Sequence, residues 1–497
     1  MTDRFRLAPP RAVAMIESLR GLGYSAAAAV ADIVDNSVAA HAVNVEVTFI
    51  WSGRNSRIHV KDDGDGMDEA QLDQAMRLGE KSPLDERHAD DLGRFGLGMK
   101  TASFSQCRRL TVASAKSGAV SCLRWDLDVL AKSPGDEWRL LEGSAPGSDA
   151  FVAPLASMKS GTVVLWEELD RIVTSGYSEQ DFLDLIDKVE QHLAMVFHRY
   201  LSDRRLTLRI NGQAIAAWDP FLEGLTATWR SPVVELPFEG GIARVKCFVL
   251  PHKDRLDTGT YESAAGPDGW TAQQGFYVYR NERLLVAGGW LGLGQGRSWT
   301  REEAHRLARI RIDIPNTADV AWEIDIRKSR AKPPVVLRAR LTRLAEDTRE
   351  RARRVFARRG QPLTPGGDQL VQAWIAQRLS KGIRYRIDVD HPAVRAVIED
   401  AGPLLNQVEA MLSVIEETVP VQRIWLDTMD SKETPVTGFA SATDAEVVAV
   451  LEPVYRHLVL RKGVAPELAR ERLLLTEPFN KFPGLVAALP DDPSQMN

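Results

Sequence analysis

The feature that most constrains this chain is an ordered set of three short motifs, because only a few folds bring such elements to one place. An Ala-rich segment carries Asp32, Asp35 and Asn36. It is followed by the run Val60-Lys61-Asp62-Asp63-Gly64-Asp65-Gly66-Met67 and then by Gly93-Arg94-Phe95-Gly96-Leu97-Gly98-Met99-Lys100-Thr101-Ala102-Ser103. Ser25 is a natural N-cap. In a helix over 26–40, Asp32 and Asn36 stand four residues apart on one face. A carboxylate there can orient water, and a neutral amide oxygen can hold Mg²⁺ against phosphates. Two extended runs, Val43 to Ile50 and Arg57 to Val60, place Asp62 at a strand end, able to accept from an adenine amino group. Gly64 and Gly66 let the backbone approach a flat base. The glycines at 93, 96 and 98 lead into a helix whose free N–H groups suit a polyphosphate. Taken singly these signals are weak, since a Gly-rich turn before a helix is most often only a turn. Their order and spacing point jointly to a nucleotide pocket.

The same order resembles the GHKL ATPase superfamily, which includes gyrase B subunits, MutL, the ninety-kilodalton heat-shock chaperones, histidine kinases and MORC proteins. The resemblance covers roughly residues 20–175. Asp32-Ile-Val-Asp-Asn36 looks like the family's N-box, Asp62 to Met67 like its first glycine box, and Gly93 to Lys100 like its second. Thr162, in Ser160-Gly161-Thr162-Val163-Val164, looks like the threonine that shares the adenine contact. The resemblance implies ATP and Mg²⁺ as cofactors, with Asn36 on the metal and Asp32 catalytic. Asp62, Gly64, Gly66, Met67 and Thr162 would surround the base. Gly93, Phe95, Gly96, Leu97, Gly98, Met99, Lys100 and Thr101 would meet the phosphates. The segment Glu80 to Leu92, the ending Gly98-Met-Lys-Thr-Ala-Ser103 and the phrase Gly23-Tyr-Ser-Ala26 look most like MORC-type and bacterial MORC-like ATPases.

Two departures matter. The family usually has Glu at the position of Asp32 and Asp at that of Ala39. A carboxylate one methylene shorter sits roughly 1.5 Å back, and a displacement of about 1 Å can cost on the order of 100-fold in rate. Slow hydrolysis follows as the expectation, and binding without hydrolysis as its alternative. The competing reading of Asp32 is a structural helix residue.

At 497 residues the chain has room for about three domains. We read 1–175 as a Bergerat-fold α/β sandwich, 176–334 as a transducer-like α/β domain, 335–362 as an arginine-rich helix and linker, and 363–497 as a mainly helical domain. No apolar run approaches bilayer length and the start lacks a signal-peptide core, so the expectation is a cytoplasmic chain with no membrane contact. Cys107, Cys122 and Cys247 are widely spaced and read as core residues. The net charge of −5 requires any nucleic-acid contact to come from a local patch.

Helical spacing predicts a helix over Asp181 to Tyr200, with Phe182, Leu185, Ile186, Val189, Leu193 and Phe197 on one stripe. Strand-like runs follow at 206–210, 233–236, 242–250, 275–286 and 309–314, with a helix-compatible run over 301–308. The phrase Gln274 to Leu285 resembles the strand-turn-strand of MutL and MORC transducer domains, and Trp322 to Ser329 their later strand and loop. In those families a loop lysine reaches the γ-phosphate. Lys328 is the candidate, with Arg327, Arg330 and Lys332 as alternatives and a solvated basic loop as the plain reading.

From Pro334 to Arg359 a long helix is expected, carrying Arg338, Arg340, Arg343, Arg349, Arg351, Arg353, Arg354, Arg358 and Arg359 against Glu346, Asp347 and Glu350. Such a surplus suits phosphate backbones, although a charge run is commonly a solvated face. DNA along Arg338–Arg359 is therefore one partner reading. A homodimer closed by ATP and partner proteins encoded nearby follow from the resemblance. A chaperone-like machine acting on protein clients is the alternative. Beyond the breaker cluster Gln361 to Asp368, helices are expected over 368–380, 392–417, 442–461 and 464–474, with 384–389 extended.

Overall fold

The structure, a computed structural model, describes residues 11–21, 23–79, 98–133, 137–325, 328, 330–357, 371–379, 382–424, 439 and 442–493. It divides into two compact units, Met1–Gly360 and Gln361–Asn497.

The first unit begins with α1 (Ala12–Arg20), α2 (Ala26–Ala39), β1 (Asn44–Ile50), β2 (Arg57–Asp62), α3 (Glu69–Met76) and α4 (Gly98–Phe104). It continues with β3 (Arg109–Lys116), β4 (Ala119–Asp126), α5 (Leu127–Ala131), β5 (Leu141–Glu142), α6 (Asp149–Val152), β6 (Ser160–Glu167), α7 (Glu179–Val196), α8 (His198–Ser202), β7 (Thr207–Ile210) and β8 (Gln213–Ala214). The strands form one eight-stranded sheet in the order β5-β4-β3-β6-β2-β1-β7-β8, antiparallel except for β1 with β7.

Local chemistry explains the helices that frame the site. Ser25, in extended conformation, accepts from Ala28 N at 3.2 Å and starts α2 as a side-chain cap. A capping box of Ser178 and Asp181 starts α7. Ala29, Val30, Ile33 and Val34 of α2 join Val60, Trp166, Phe182, Val189 and Leu193 in one core, as the expected stripe of α7 requires. Burying that apolar surface between helices and sheet is what holds α2 in place.

The second sheet has the order β10-β11-β14-β12-β13, from β9 (Trp229–Arg230), which pairs with β11, β10 (Val234–Phe238), β11 (Gly241–Val249), β12 (Gly275–Arg280), β13 (Arg283–Ala287) and β14 (Ala308–Ile314). The expected strand-turn-strand is present: β12 and β13 form a hairpin whose two turn residues, Asn281 and Glu282, both have positive φ, at 46° and 65°. Two short helices, α9 (Thr258–Ala264) and α10 (Gly269–Ala272), precede the hairpin. The long basic helix is α11 (Val335–Ala357). It is not a free-standing element beside a linker, because Leu337, Leu341, Ala345 and Ala352 are buried in the core of the second sheet. Two expectations fail here. The run 301–308 contains only the 3₁₀ turn Glu303–His305, and Trp322 to Asp325 make a turn with no strand.

The second unit opens with the hairpin β15 (Trp374–Leu379) and β16 (Gly382–Ile387), where a helix was expected over 368–380. Trp374, Ile375 and Leu379 satisfy helical spacing, but antiparallel pairing with Ile383 to Ile387 supplies hydrogen bonds that local propensity cannot foresee. The helices Asp444–Arg456 and Pro466–Leu474 stand close to where they were expected, whereas the expected helical segment over 392–417 is two helices, Pro392–Asp400 and Leu405–Glu417, separated by the 3₁₀ turn Gly402–Leu404. No helix among the described residues is long and apolar enough to cross a membrane.

Candidate functional site

Sheet register builds the first half of the site. Asp62 at the end of β2 pairs with Thr162 of β6, and Thr162 pairs in turn with Ser114 of β3, so three polar residues share one row across three strands. Asp62 Oδ1 accepts from Gly64 N at 3.0 Å and Thr162 N at 3.2 Å, while Oδ2 accepts from Ser37 Oγ at 2.7 Å. Ser114 Oγ lies 2.9 Å from Thr162 Oγ1 and accepts from Met67 N at 2.8 Å, fastening the first glycine box to the sheet. Burial pushes the Asp62 carboxyl upward, against the opposing pull of its bonds from Ser37, Gly64 and Thr162. Ser37 and Ser114 carried no functional signal of their own in the sequence. Ser37 stands one residue past Asn36, and a turn of about 100° per residue sends it inward while Asn36 faces out.

The first glycine box is constrained by protein backbone. Gly66 has φ +67°, and a Cβ there would lie 1.9 Å from the Ala115 carbonyl oxygen. A Cβ on Gly64 would meet the Ala40 carbonyl oxygen at 2.6 Å. A side chain at Gly66 would push the loop off the sheet, and one at Gly64 would push it off the end of α2.

The second half of the site comes from α2. Asn36 is exposed, and its amide nitrogen donates to the Asp32 main-chain carbonyl at 2.8 Å, which leaves its oxygen as the atom for a ligand. Asp32 and Asp35, three residues apart, share a buried face. Lys328 reaches both: its Nζ lies 2.9 Å from Asp32 Oδ1 and 2.5 Å from Asp35 Oδ2. Asp32 Oδ2 is buried without a hydrogen-bond partner among the described residues. Arg283, at the start of β13, spans Asp35 with Nε at 3.1 and 3.2 Å from the two carboxylate oxygens. Burial works against the charge of Asp35, but the Arg283 guanidinium and the Lys328 ammonium together hold its carboxyl below the ordinary range. Tyr24 lies beside this group, and burial followed by the Asp32 charge pushes its hydroxyl well up. Arg283, like Ser37 and Ser114, is a residue that the sequence reading missed.

Other site candidates are placed differently. Gly98 opens α4, with Met99 half-buried and Thr101 buried behind it. Lys100 is buried, and its Nζ donates to the carbonyls of Ala75 at 2.8 Å and Arg77 at 2.5 Å. Lys100 thereby ties α4 to the end of α3, where free carbonyls attract a cation. Gly93, Phe95, Gly96 and Leu97, the segment Glu80 to Leu92 and Arg327 lie outside the described residues. Among the alternatives to Lys328, Lys332 pairs with Glu323 at 2.9 Å, and the backbone N–H of Arg330 donates to Asp325.

On α11 the arginines divide. Arg340, Arg343, Arg351, Arg353 and Arg354 are exposed, and Arg358 and Arg359 lie outside the described residues. Arg349 is buried, its guanidinium 4.7 Å from the Trp290 ring centre and 4.5 Å from that of Trp299. That residue belongs to the core packing, a correction to its place in the phosphate-binding stripe.

A helix-borne Asp and Asn set beside a mixed sheet, with a hydrogen-bonded Asp–Thr pair at the end of adjacent strands, defines an ATP-binding domain of the GHKL type. Residues 24–162 match the family model described as histidine kinase-, DNA gyrase B-, and HSP90-like ATPase. The N-terminal part of the chain thus carries a domain of this superfamily. A stretch of 123 residues, 24% of this chain, is 33% identical to the DNA mismatch repair protein MutL of Rhodospirillum rubrum, and it spans 17% of the length of that curated relative.

Proposed function

We propose that the chain is a Mg-ATP-dependent conformational switch with slow ATPase activity, closing as a homodimer on ATP and acting on DNA. The observation that carries this reading is the contact of Lys328, from the region of the second sheet, with Asp32 of α2. A cation reaching the N-box from a separate core is what a nucleotide-sensing switch requires. The residues fit the group. Among the described residues Asp62 Oδ2 has one donor and room in its lone pairs for an amino group, Asn36 offers a neutral oxygen, and Asp32 Oδ2, which has no hydrogen-bond partner there, can take a proton from water. Asp62, with Thr162, would read the base beside Gly64, Gly66 and Met67, and Asn36 would hold Mg²⁺, which when bound neutralises phosphate charge. The exposed arginines of α11 offer a backbone-binding stripe.

A second reading, nucleotide binding with little turnover, is favoured by the pairing of Asp32 with Lys328 and by the short reach of an aspartate. Phosphate release separates the two readings. Binding to plasmid DNA at several salt concentrations, with and without a non-hydrolysable ATP analogue, tests the DNA role. Light scattering with the same analogue tests dimerisation. Unchanged mass and unchanged DNA affinity at saturating analogue would sink the clamp.

A further inference from the structure

We propose that Asp35 is a positioning residue that holds Lys328 in competition with the γ-phosphate, and that the buried guanidinium of Arg283 is the fixed counter-ion that lets Asp35 release it. The inference rests on the ATP reading above and deepens it.

Four charged groups meet here, two acids and two cations, and the two cations are held very differently. Arg283 is 4% exposed, sits in the β12–β13 hairpin, donates from Nη1 to the Leu284 carbonyl at 2.6 Å and straddles both oxygens of Asp35. To leave, it would have to give up the Leu284 carbonyl and both Asp35 oxygens. Lys328 stands in a turn with φ +52°, an unfavourable conformation for a residue with a Cβ, and reaches α2 through its side chain. A flexible ammonium on such a turn can exchange one anion for another.

The two acids also differ. Both oxygens of Asp35 have cationic partners, whereas Asp32 has Lys328 on Oδ1, Arg283 only at 3.9 Å and the neutral Tyr24 hydroxyl beside it, with no partner on Oδ2 among the described residues. When Lys328 departs, Asp35 keeps its guanidinium and its charge. Asp32 loses its close cation and regains Oδ1 as an acceptor. Moving one ammonium thus couples γ-phosphate recognition to the freeing of the candidate base. His192, next to Arg283 and Asp35, adds no charge, since burial and then Arg283 pull it down to about 4. A buried pair held in this way lowers apparent affinity only for a ligand that needs the lysine.

ATP and ADP therefore respond differently. In full-length Asp35→Asn, calorimetry should show the affinity for a non-hydrolysable ATP analogue rising relative to that for ADP by roughly tenfold. A purely structural role would move both ligands together. Because the single change leaves Arg283 facing an uncharged amide, Asp35→Asn/Arg283→Gln, which removes one charge of each sign, is measured beside it and should show the same rise. Adding Lys328→Met should abolish it. A folded variant with the parent's ratio overturns the inference while leaving the ATP reading intact. A parent that binds neither nucleotide overturns both. If both Asp35 variants fail to fold while Lys328→Met folds, the pair is a folding element and the inference falls.

Discussion

Lys328 and Asp32 stand 296 positions apart in the chain, yet the lysine ammonium lies 2.9 Å from the aspartate carboxylate. The contact joins the region of the second sheet to the helix that carries the N-box, so whatever draws the lysine away also changes how that helix is held.

Asp32→Asn should still bind the ATP analogue, no more weakly than the parent, and release phosphate at least about 100-fold more slowly, the loss expected for a removed general base. Asp32→Glu restores the reach of the family's usual residue and should speed release. Single-turnover assays distinguish chemistry from product release, and turnover at the parent's rate in Asp32→Asn would assign the base elsewhere.

Asp62→Asn should fold and lose ATP. An asparagine oxygen can accept the two N–H bonds from Gly64 and Thr162, and its amide can donate to the Ser37 hydroxyl, so every polar atom stays satisfied. The same amide would face the adenine amino group donor to donor. Because folding raises the Asp62 pKa, the carboxyl costs stability that begins to build as the pH rises through its ordinary unfolded value and is full above the raised folded value. Thermal melts should place the variant at or above the parent near neutral pH, with the gap narrowing toward acid.

Replacing Arg340, Arg343 and Arg353 by Gln should weaken DNA binding across all sequences and flatten the salt slope by about three, one per lost phosphate contact. Arg349→Gln should leave that slope unchanged and lower stability by roughly 1–3 kcal/mol, since it removes a desolvated cation from two indole faces. A slope that falls with Arg349 but not with the exposed three would reverse the assignment.

Stability should fall as the pH drops below about 6.5. His198, hydrogen-bonded to the Tyr279 hydroxyl at 2.7 Å, is pulled down to about 3, by burial and then by Arg199. His192 is pulled down to about 4. Each depressed histidine is neutral in the fold, so the unfolded chain binds its proton first and gains about 1.4 kcal/mol per pH unit between the unfolded and folded values. Denaturant titration from pH 7 to 4 should show a steep loss that His198→Gln lessens. A flat profile would mean that the two imidazoles are hydrated.

The local elements were legible because their causes are local. Ser25 caps α2, the apolar stripe of α7 repeats at helical spacing, and Gly64 and Gly66 stand next to the aspartate they serve. The run around Trp374 misled because its spacing suits either state and only a partner strand decides between them. Motif order, helical periodicity and turn chemistry therefore came from the sequence by itself. The tertiary structure alone decided which charges meet. It brought Arg283 to Asp35 across 248 positions, placed Ser114 behind Thr162 by strand register, turned Lys100 onto α3 and folded Arg349 between two tryptophans. Those outcomes depend on burial, since a charge taken from water must find a partner or an aromatic face wherever the packing leaves one, and no spacing along the chain records where that is.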